Sequence, residues 1–448
     1  MRILRGLAAA REAVLSRPRL EDRDLPEHVV QRMTEVFGAP LTAEQAVARI
    51  IADIRSDGDA ALLRYTRELD GAENPTLAVT AEEIEAAYCS VAPEVLEALE
   101  LAARRIRAFH EVGKATTWVD FETGLGQLVR PMDRVGLYIP GGRAAYPSTV
   151  LMTAVPAKVA GVPEVILATP PDREGNANPL VLAAAKIAGI DRIFKMGGAQ
   201  AIAAMAYGTA TVPRVDKICG PGNLFVVVAK RMVFGQVGID GLHGPSEGVV
   251  FADDSADPRL CAADLLAQAE HDELATAILV TDSPRLLEAV QVAIEDELTR
   301  LERAPIIRKA LEQNGFLAQV EDYEACAEIV NLIAPEHLSV MVNDPWSKVK
   351  GIRHTGAIFL GASSTAAIGD YVAGPSHVMP TNSTARFNSP LNTGDFLKIT
   401  SLVALTPEIA KAIGPAAATL ARAEGLTAHA RAVELHAELA EQAAAEAR

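Results

Sequence analysis

Gln268 and His271 stand three residues apart in the stretch Asp264-Leu-Leu-Ala-Gln-Ala-Glu-His-Asp272. Its Ala, Gln, Glu and Leu residues are good helix formers, so it is predicted as a helix with Leu265 and Leu266 near the apolar face. The spacing then puts a carbonyl oxygen and an imidazole on one face, one turn apart. Such a pair could hold a divalent metal from one side. Taken alone, a Gln-x-x-His pair more often is solvated or caps a core, and two ligands do not complete a site.

Other residues of the right chemistry sit beside glycines and prolines, where backbone turns present functional groups. In Ala334-Pro-Glu-His-Leu338, Pro335 restricts the chain and fixes the direction of Glu336 and His337, an acid/base pair. Asp370, in Gly369-Asp-Tyr371, is a hard oxygen ligand, and His377 is a contact for substrate. Ser246, in Gly244-Pro-Ser-Glu247, is a second polar contact. In Glu424-Gly-Leu-Thr-Ala-His429, Gly425 lets a new helix begin, so that Glu424 precedes its first turn and His429 lies within it. A surface Glu-His and a turn-forming Ser are the plain alternatives. Glycine turns recur between residues 141 and 223, but none forms GxGxxG after a strand, so that dinucleotide fingerprint is absent. A phosphate could still use the amides of Gly197 and Gly198 at a helix start.

The chain has 448 residues, enough for two or three domains and a large core. Hydrophobic residues make up 49%, which argues against disorder, while aromatics at 4% leave the core to Ala, Val, Leu and Ile. A formal net charge of -16 disfavours nucleic acid as a partner. Cys89, Cys219, Cys261 and Cys326 are scattered without a CxxC pair, which suits a reducing cytoplasm. The apolar start is short and broken by Arg11 and Glu12, so export is not expected, and no apolar run is long enough to span a membrane.

The elements that must position these residues alternate between strand, glycine turn and helix. This predicts an α/β protein with two Rossmann-like parallel-sheet units. Ligands in such sheets sit at the carboxyl ends of the strands. Residues 1–29 read as a helical N-terminal extension. Thr42 and Thr80 start helices, the latter with Glu83 in a capping box. Residues 134–246 form one inserted α/β domain. Residues 30–133 and 247–392 form a discontinuous second one, its early helices packing with the later strands. Residues 393–448 read as a helical C-terminal segment, broken at Pro415 and Gly425.

Taken together, these segments resemble the histidinol dehydrogenase family. The resemblance is carried by Val135-Gly-Leu-Tyr-Ile-Pro-Gly-Gly142, Pro147-Ser-Thr-Val-Leu-Met152, the run from Gly197 to Thr209 and Val215-Asp-Lys-Ile-Cys-Gly-Pro-Gly-Asn223. The motifs around Ser246, Gln268, Glu336, Asp370 and Glu424 continue it, in order, across residues 30 to 440. The resemblance implies NAD- and zinc-dependent oxidation of L-histidinol through an aldehyde to L-histidine, using two NAD and one zinc per site. It implies zinc ligands at Gln268, His271, Asp370 and His429. Substrate contacts fall on Ser246, His337, His377 and Glu424 besides the metal ligands, and NAD contacts on Tyr138, Gln200 and Asn223. Glu336 and His337 are the implied catalytic residues. The resemblance also implies a homodimer in which Glu424 and His429 complete the partner's site. The alternative is a relative oxidising another small polar alcohol, such as a sulfonated diol. A Cys219 thioester route is disfavoured, because the Glu-His pair already supplies a hydration route. Arg143, Cys219 and His243 depart from the pattern expected at their positions.

Overall fold

The computed structural model describes residues 1–18, 27–141 and 145–446, which leaves Arg143 outside. It divides into two compact units. One contains Met1–Lys114 and Met132–Phe396; the other contains Ala115–Pro131 and Leu397–Arg448. Among the described residues no helix is long and apolar enough to cross a membrane.

In chain order the strands are β1 (Arg2–Arg5), β2 (Trp118–Asp120), β3 (Leu125–Pro131), β4 (Arg134–Tyr138), β5 (Glu164–Thr169), β6 (Arg192–Lys195) and β7 (Lys217–Cys219). They continue with β8 (Gly238–Ile239), β9 (Glu247–Ala252), β10 (Thr276–Thr281), β11 (Phe316–Gln319), β12 (His337–Met341), β13 (Ala357–Leu360) and β14 (Leu397–Val403).

The larger unit holds two parallel sheets. One runs β6-β5-β4-β7-β8, the other β1-β11-β10-β9-β12-β13. Set β1 aside and both have the same order: third strand, second, first, fourth, fifth. This is the strand order of a doubly wound fold short of its sixth strand, built twice. Strands such as β9 and β10 are buried along their whole length, as expected where helices cover both faces.

The helices between Glu27 and Glu68 pack on the five-stranded sheet, not on the later strands as the sequence predicted. Ala46, Val47, Ile50, Ile51 and Ile54 share a core with Tyr138, Ile166, Phe194 and the alanines of the helix Gly198–Tyr207. Small side chains on that helix let the partner's larger ones approach closely, a fit that periodicity alone does not reveal. The capping boxes at Thr42 and Thr80 are both present.

The N-terminal residues are also more than a helical extension. β1 pairs in parallel with β11, Ile3 opposite Leu317. Gly6, at φ 87°, turns the chain into the helix Leu7–Leu15, and Ala10, Ala13 and Val14 join the core of the six-stranded sheet. His337–Met341, expected to follow a turn, is a central strand between β9 and β13. Ser283 caps the helix Pro284–Leu298, and a further helix follows at Ala304–Gln313.

The smaller unit is not all helix. β14 pairs antiparallel with β3, and β3 with β2. The β-branched residues Ile399, Thr400 and Val403 favour the strand. Two helices follow, Pro407–Ala423 and Thr427–Glu446, joined at Gly425 with φ 78°. Pro415 lies inside the first helix and does not end it.

Candidate active site

A cavity of about 560 Å³ lies in the larger unit. From the five-stranded sheet it takes the carboxyl ends of β4 and β7, through Pro140 and Gly141 and through Pro221, Gly222 and Asn223. These two strands flank the point where the strand order reverses, the usual ligand crevice of such sheets. From the six-stranded sheet it takes the opposite ends. Ser246 immediately precedes β9, Glu336 precedes β12, and His337 is the first residue of β12. The expectation of carboxyl-end sites therefore holds for the first sheet and fails for the second. The physical reason is the return path of the helices. The helix Pro258–Ala269 runs back from the end of β9 and delivers Gln268 and His271 to the strand's start.

Ser246, His271, Glu336, His337, Asp370, His377 and Asn223 all line this one cavity. Gln268, in the last turn of that helix, is 3% exposed and its Oε1 is buried without a hydrogen-bond partner, while His271 lies two residues past the helix end and not on it as the spacing predicted. Such an atom costs free energy unless something meets it. Gly248 makes the room: a Cβ there would lie 2.3 Å from Gln268 Cγ. Gly248 is also the cross-strand partner of His337, so the amide and the imidazole crowd one backbone position. Gly248→Ala is expected to destabilise the chain by about 1–3 kcal/mol and to displace the Gln268 amide. Thermal unfolding together with zinc titration checks this; unchanged values in both would mean that the helix yields freely.

His337 is held between two carboxylates. Its Nε2 lies 2.9 Å from Asp370 Oδ1, and its Nδ1 is 3.6 Å from Glu336 Oε2. Burial pushes the imidazole down, but the Glu336 charge and the Asp370 hydrogen bond outweigh it and push it up to about 10. Asp370 answers in the opposite sense. Burial pushes its carboxyl up, and the His337 hydrogen bond, with the His337, His377 and His271 charges, brings it below the ordinary value. In this state His337 is an acid. It becomes a base only when the Asp370 charge is drawn elsewhere, as a cation on that carboxylate would do. The Phe359 ring stacks on His337 with centroids 6.0 Å apart, and Gly369 leaves space for Phe359.

Glu336 is 7% exposed and its Oε2 accepts the Glu247 backbone N–H at 3.0 Å. His377 donates from Nδ1 to the Asp370 carbonyl at 2.8 Å, so its Nε2, 3.0 Å from Thr149 Oγ1, is the accepting nitrogen. Burial lowers its basicity.

On the cofactor side, Asn223 lines the cavity and caps the helix Leu224–Val233, accepting from the Phe225 and Val226 amides. Tyr138 and Gln200 are buried in a network of their own. The Tyr138 hydroxyl accepts the Gly198 N–H at 3.0 Å, and Asp70 Oδ2 accepts from Gly197 N at 3.0 Å and Gln200 Nε2 at 3.2 Å. Both amides expected to be free for a phosphate are thus already bonded inside the protein. Burial pushes the Asp70 carboxyl up to about 7. Cys219 is wholly buried, which pushes its thiol well up, and it does not line the cavity. That is the environment of a structural cysteine, not of a nucleophile.

Glu424 and His429 belong to the smaller unit. Glu424 ends its first helix and His429 lies in the first turn of the second, and both are exposed. Sequence reasoning missed three residues of the larger unit. Glu247, Asp70 and Thr149 are held by contacts 89, 127 and 228 positions away in the chain, and although Glu247 and Thr149 sat in motifs already singled out, neither was given a role.

Comparison with known proteins agrees with this architecture. The histidinol dehydrogenase family model matches residues 39–437. A histidinol dehydrogenase from Deinococcus radiodurans is 51% identical over 439 residues, covering 97% of this chain and 99% of its own. One from Methylococcus capsulatus is 53% identical over 396 residues, covering 87% and 91%. The crystal structure of histidinol dehydrogenase from Elizabethkingia anophelis superposes with a TM-score of 0.91 at 35% identity, covering 98% of this chain and 99% of that one. With a match that spans nearly all of both chains, and one fold carrying it, this chain belongs to the histidinol dehydrogenase family.

Proposed function

We propose that the protein oxidises L-histidinol to L-histidine in two NAD-linked steps, through the aldehyde. The observation that carries the reading is the convergence of Glu336, His337, His271 and Asp370 on one cavity, beside a buried amide oxygen that lacks a partner.

Gln268, His271 and Asp370 fit a zinc ion in donor chemistry: an unmet amide oxygen, an imidazole and a carboxylate. Among the described residues no three His, Cys, Asp or Glu side chains gather into a metal cage. The proposed set is consistent with that, since one ligand is an amide and the fourth, His429, lies in the smaller unit. Gln268, His271 and Asp370 would hold the ion, which when bound would supply a fixed positive charge that orients the substrate. NAD supplies the hydride acceptor; Tyr138, Gln200 and Asn223 are its proposed contacts, and residues 134–246 its domain.

The side chains of the chain then divide the proton work. His337 removes the hydroxyl proton of the alcohol, without which hydride cannot leave the carbinol carbon. Glu336 takes a proton from the water that hydrates the aldehyde, and His337 acts again on the hydrate. Ser246, His377 and Glu424 hold the substrate. Retaining the aldehyde between steps avoids losing a reactive intermediate. The working form is a homodimer in which the smaller unit of each chain gives Glu424 and His429 to its partner's site. The exposed Ile413, Leu420, Leu426, Leu435 and Leu439 of that unit support this. Four unpaired cysteines suit the cytoplasm.

The test is to count NADH formed per L-histidinol consumed, with metal analysis alongside. Two NADH and one zinc per chain are expected; no NADH from L-histidinol refutes the reading. Glu336→Gln should stall after the first oxidation. NADH per histidinol should then fall toward one, and a carbonyl-trapping reagent should collect the aldehyde. A ratio that stays at two would remove Glu336 from the hydration step.

A further inference from the structure

His243 stands in the segment 240–246, which leaves the five-stranded sheet after β8 and enters the six-stranded sheet at β9. It is 7% exposed and lines the cavity. Its two ring nitrogens face the two walls. Nδ1 lies 2.8 Å from the Met379 carbonyl, and Nε2 lies 3.3 Å from Asp240 Oδ2. The Met379 carbonyl can only accept, so Nδ1 is the donor there, while Nε2 stands beside the Asp240 carboxylate without a hydrogen bond of its own.

Each neighbour is tied to a different function of the site. Asp240 is 2% exposed in its side chain and holds the glycine turn at the end of β7. Its Oδ2 also accepts the Gly220 N–H at 2.7 Å, while Lys230 pairs with its Oδ1 and donates to the Gly220 carbonyl at 3.0 Å. Both backbone groups of Gly220 therefore hang on this buried ion pair, and Gly220 opens the turn that ends at Asn223. On the other side, Met379 is two residues from His377, whose ring holds the Asp370 carbonyl. Thr381 secures the same segment by accepting the Gly244 N–H at 2.6 Å.

We propose that His243 is a positioning residue that couples the cofactor turn Gly220–Asn223 to the substrate-side segment 377–381. The inference rests on the function proposed above. It goes beyond it by giving a role to a residue outside the catalytic and metal-binding sets. One imidazole spans the crossing between the two sheets, so a shift at the cofactor turn is transmitted to the His377 side through two contacts and no ligand.

The test uses zinc-loaded wild type, His243→Ala and His243→Gln. The direct readout is NAD affinity, titrated with and without L-histidinol; turnover is measured separately. Wild type should bind NAD more tightly when L-histidinol is present. His243→Ala should lose that linkage and raise the KM for NAD about tenfold, the size of one lost buried hydrogen bond. Its zinc content and melting temperature should stay near wild type, which a merely structural role would not allow. His243→Gln, which keeps a donor, should restore much of the linkage. The proposal is overturned if His243→Ala keeps wild-type NAD affinity and linkage, or if glutamine restores nothing. If wild type oxidises no L-histidinol, the functional reading fails instead, and NAD titration still decides whether His243 supports the cofactor turn.

Discussion

Replacing His337 by asparagine should slow NADH formation roughly a thousandfold while leaving zinc and L-histidinol bound, the scale for losing a general base used in both oxidations. The expectation follows from its surroundings. Its ring lies close to both carboxylates of the site, with Asp370 Oδ1 2.9 Å from Nε2 and Glu336 Oε2 3.6 Å from Nδ1. An amide of similar polarity cannot take a proton at neutral pH. Zinc should bind at least as well in the variant, because the protonated ring that competes for Asp370 is gone. The pH dependence has a definite sign. The Glu336 charge and the Asp370 hydrogen bond push the ring up to about 10 against its burial, so a base there is protonated at neutral pH. A cation on Asp370 withdraws part of that support and lowers the ring. Wild-type turnover should therefore fall as pH drops, and the residual rate of the variant should not follow that limb. Single-turnover rates across pH would decide; a variant within tenfold of wild type takes His337 out of the base role.

Much of this site was legible before any coordinates. Spacing singled out Gln268 and His271, although the helix stops at Ala269 and His271 follows its end, and Pro335 singled out Glu336 and His337, because local geometry narrows such pairs. The turn at Gly425 was legible for the same reason. What was not legible depends on contacts between distant segments. The free amides expected at Gly197 and Gly198 are occupied, the first by Asp70, 127 positions earlier, and the second by the Tyr138 hydroxyl. The use of the amino ends of β9 and β12 follows from how two sheets of one topology share a cleft, which no strand pattern encodes. β1 was missed because four residues at a chain end carry too short a pattern to separate strand from helix. β14 was missed because an alanine-rich helical stretch follows it at once.

Replacing Asp370 by alanine should weaken zinc binding by about a hundredfold or more, at or beyond the upper end of what loss of an outer-shell partner costs. Two effects add. The carboxylate itself is lost as a ligand, and His271 and Gln268 are left with an incomplete set. Activity should fall with the metal, and excess zinc should restore part of it; wild-type zinc affinity would refute the assignment. The same variant tests where the fourth ligand comes from. His429→Ala should also lose zinc, although His429 lies in the other unit of the chain. If each site takes Asp370 from one chain and His429 from its partner, unfolding and refolding the two inactive variants together creates hybrid dimers. In a hybrid, one site carries both lesions and the other carries none. Random pairing makes half of the dimers hybrid, so the mixture should regain about a quarter of wild-type activity, a consequence of isologous pairing. A site built within one chain has no such route, because every chain in the mixture lacks a ligand. Recovered activity in the refolded mixture, absent from either variant alone, would separate the shared site from the closed one.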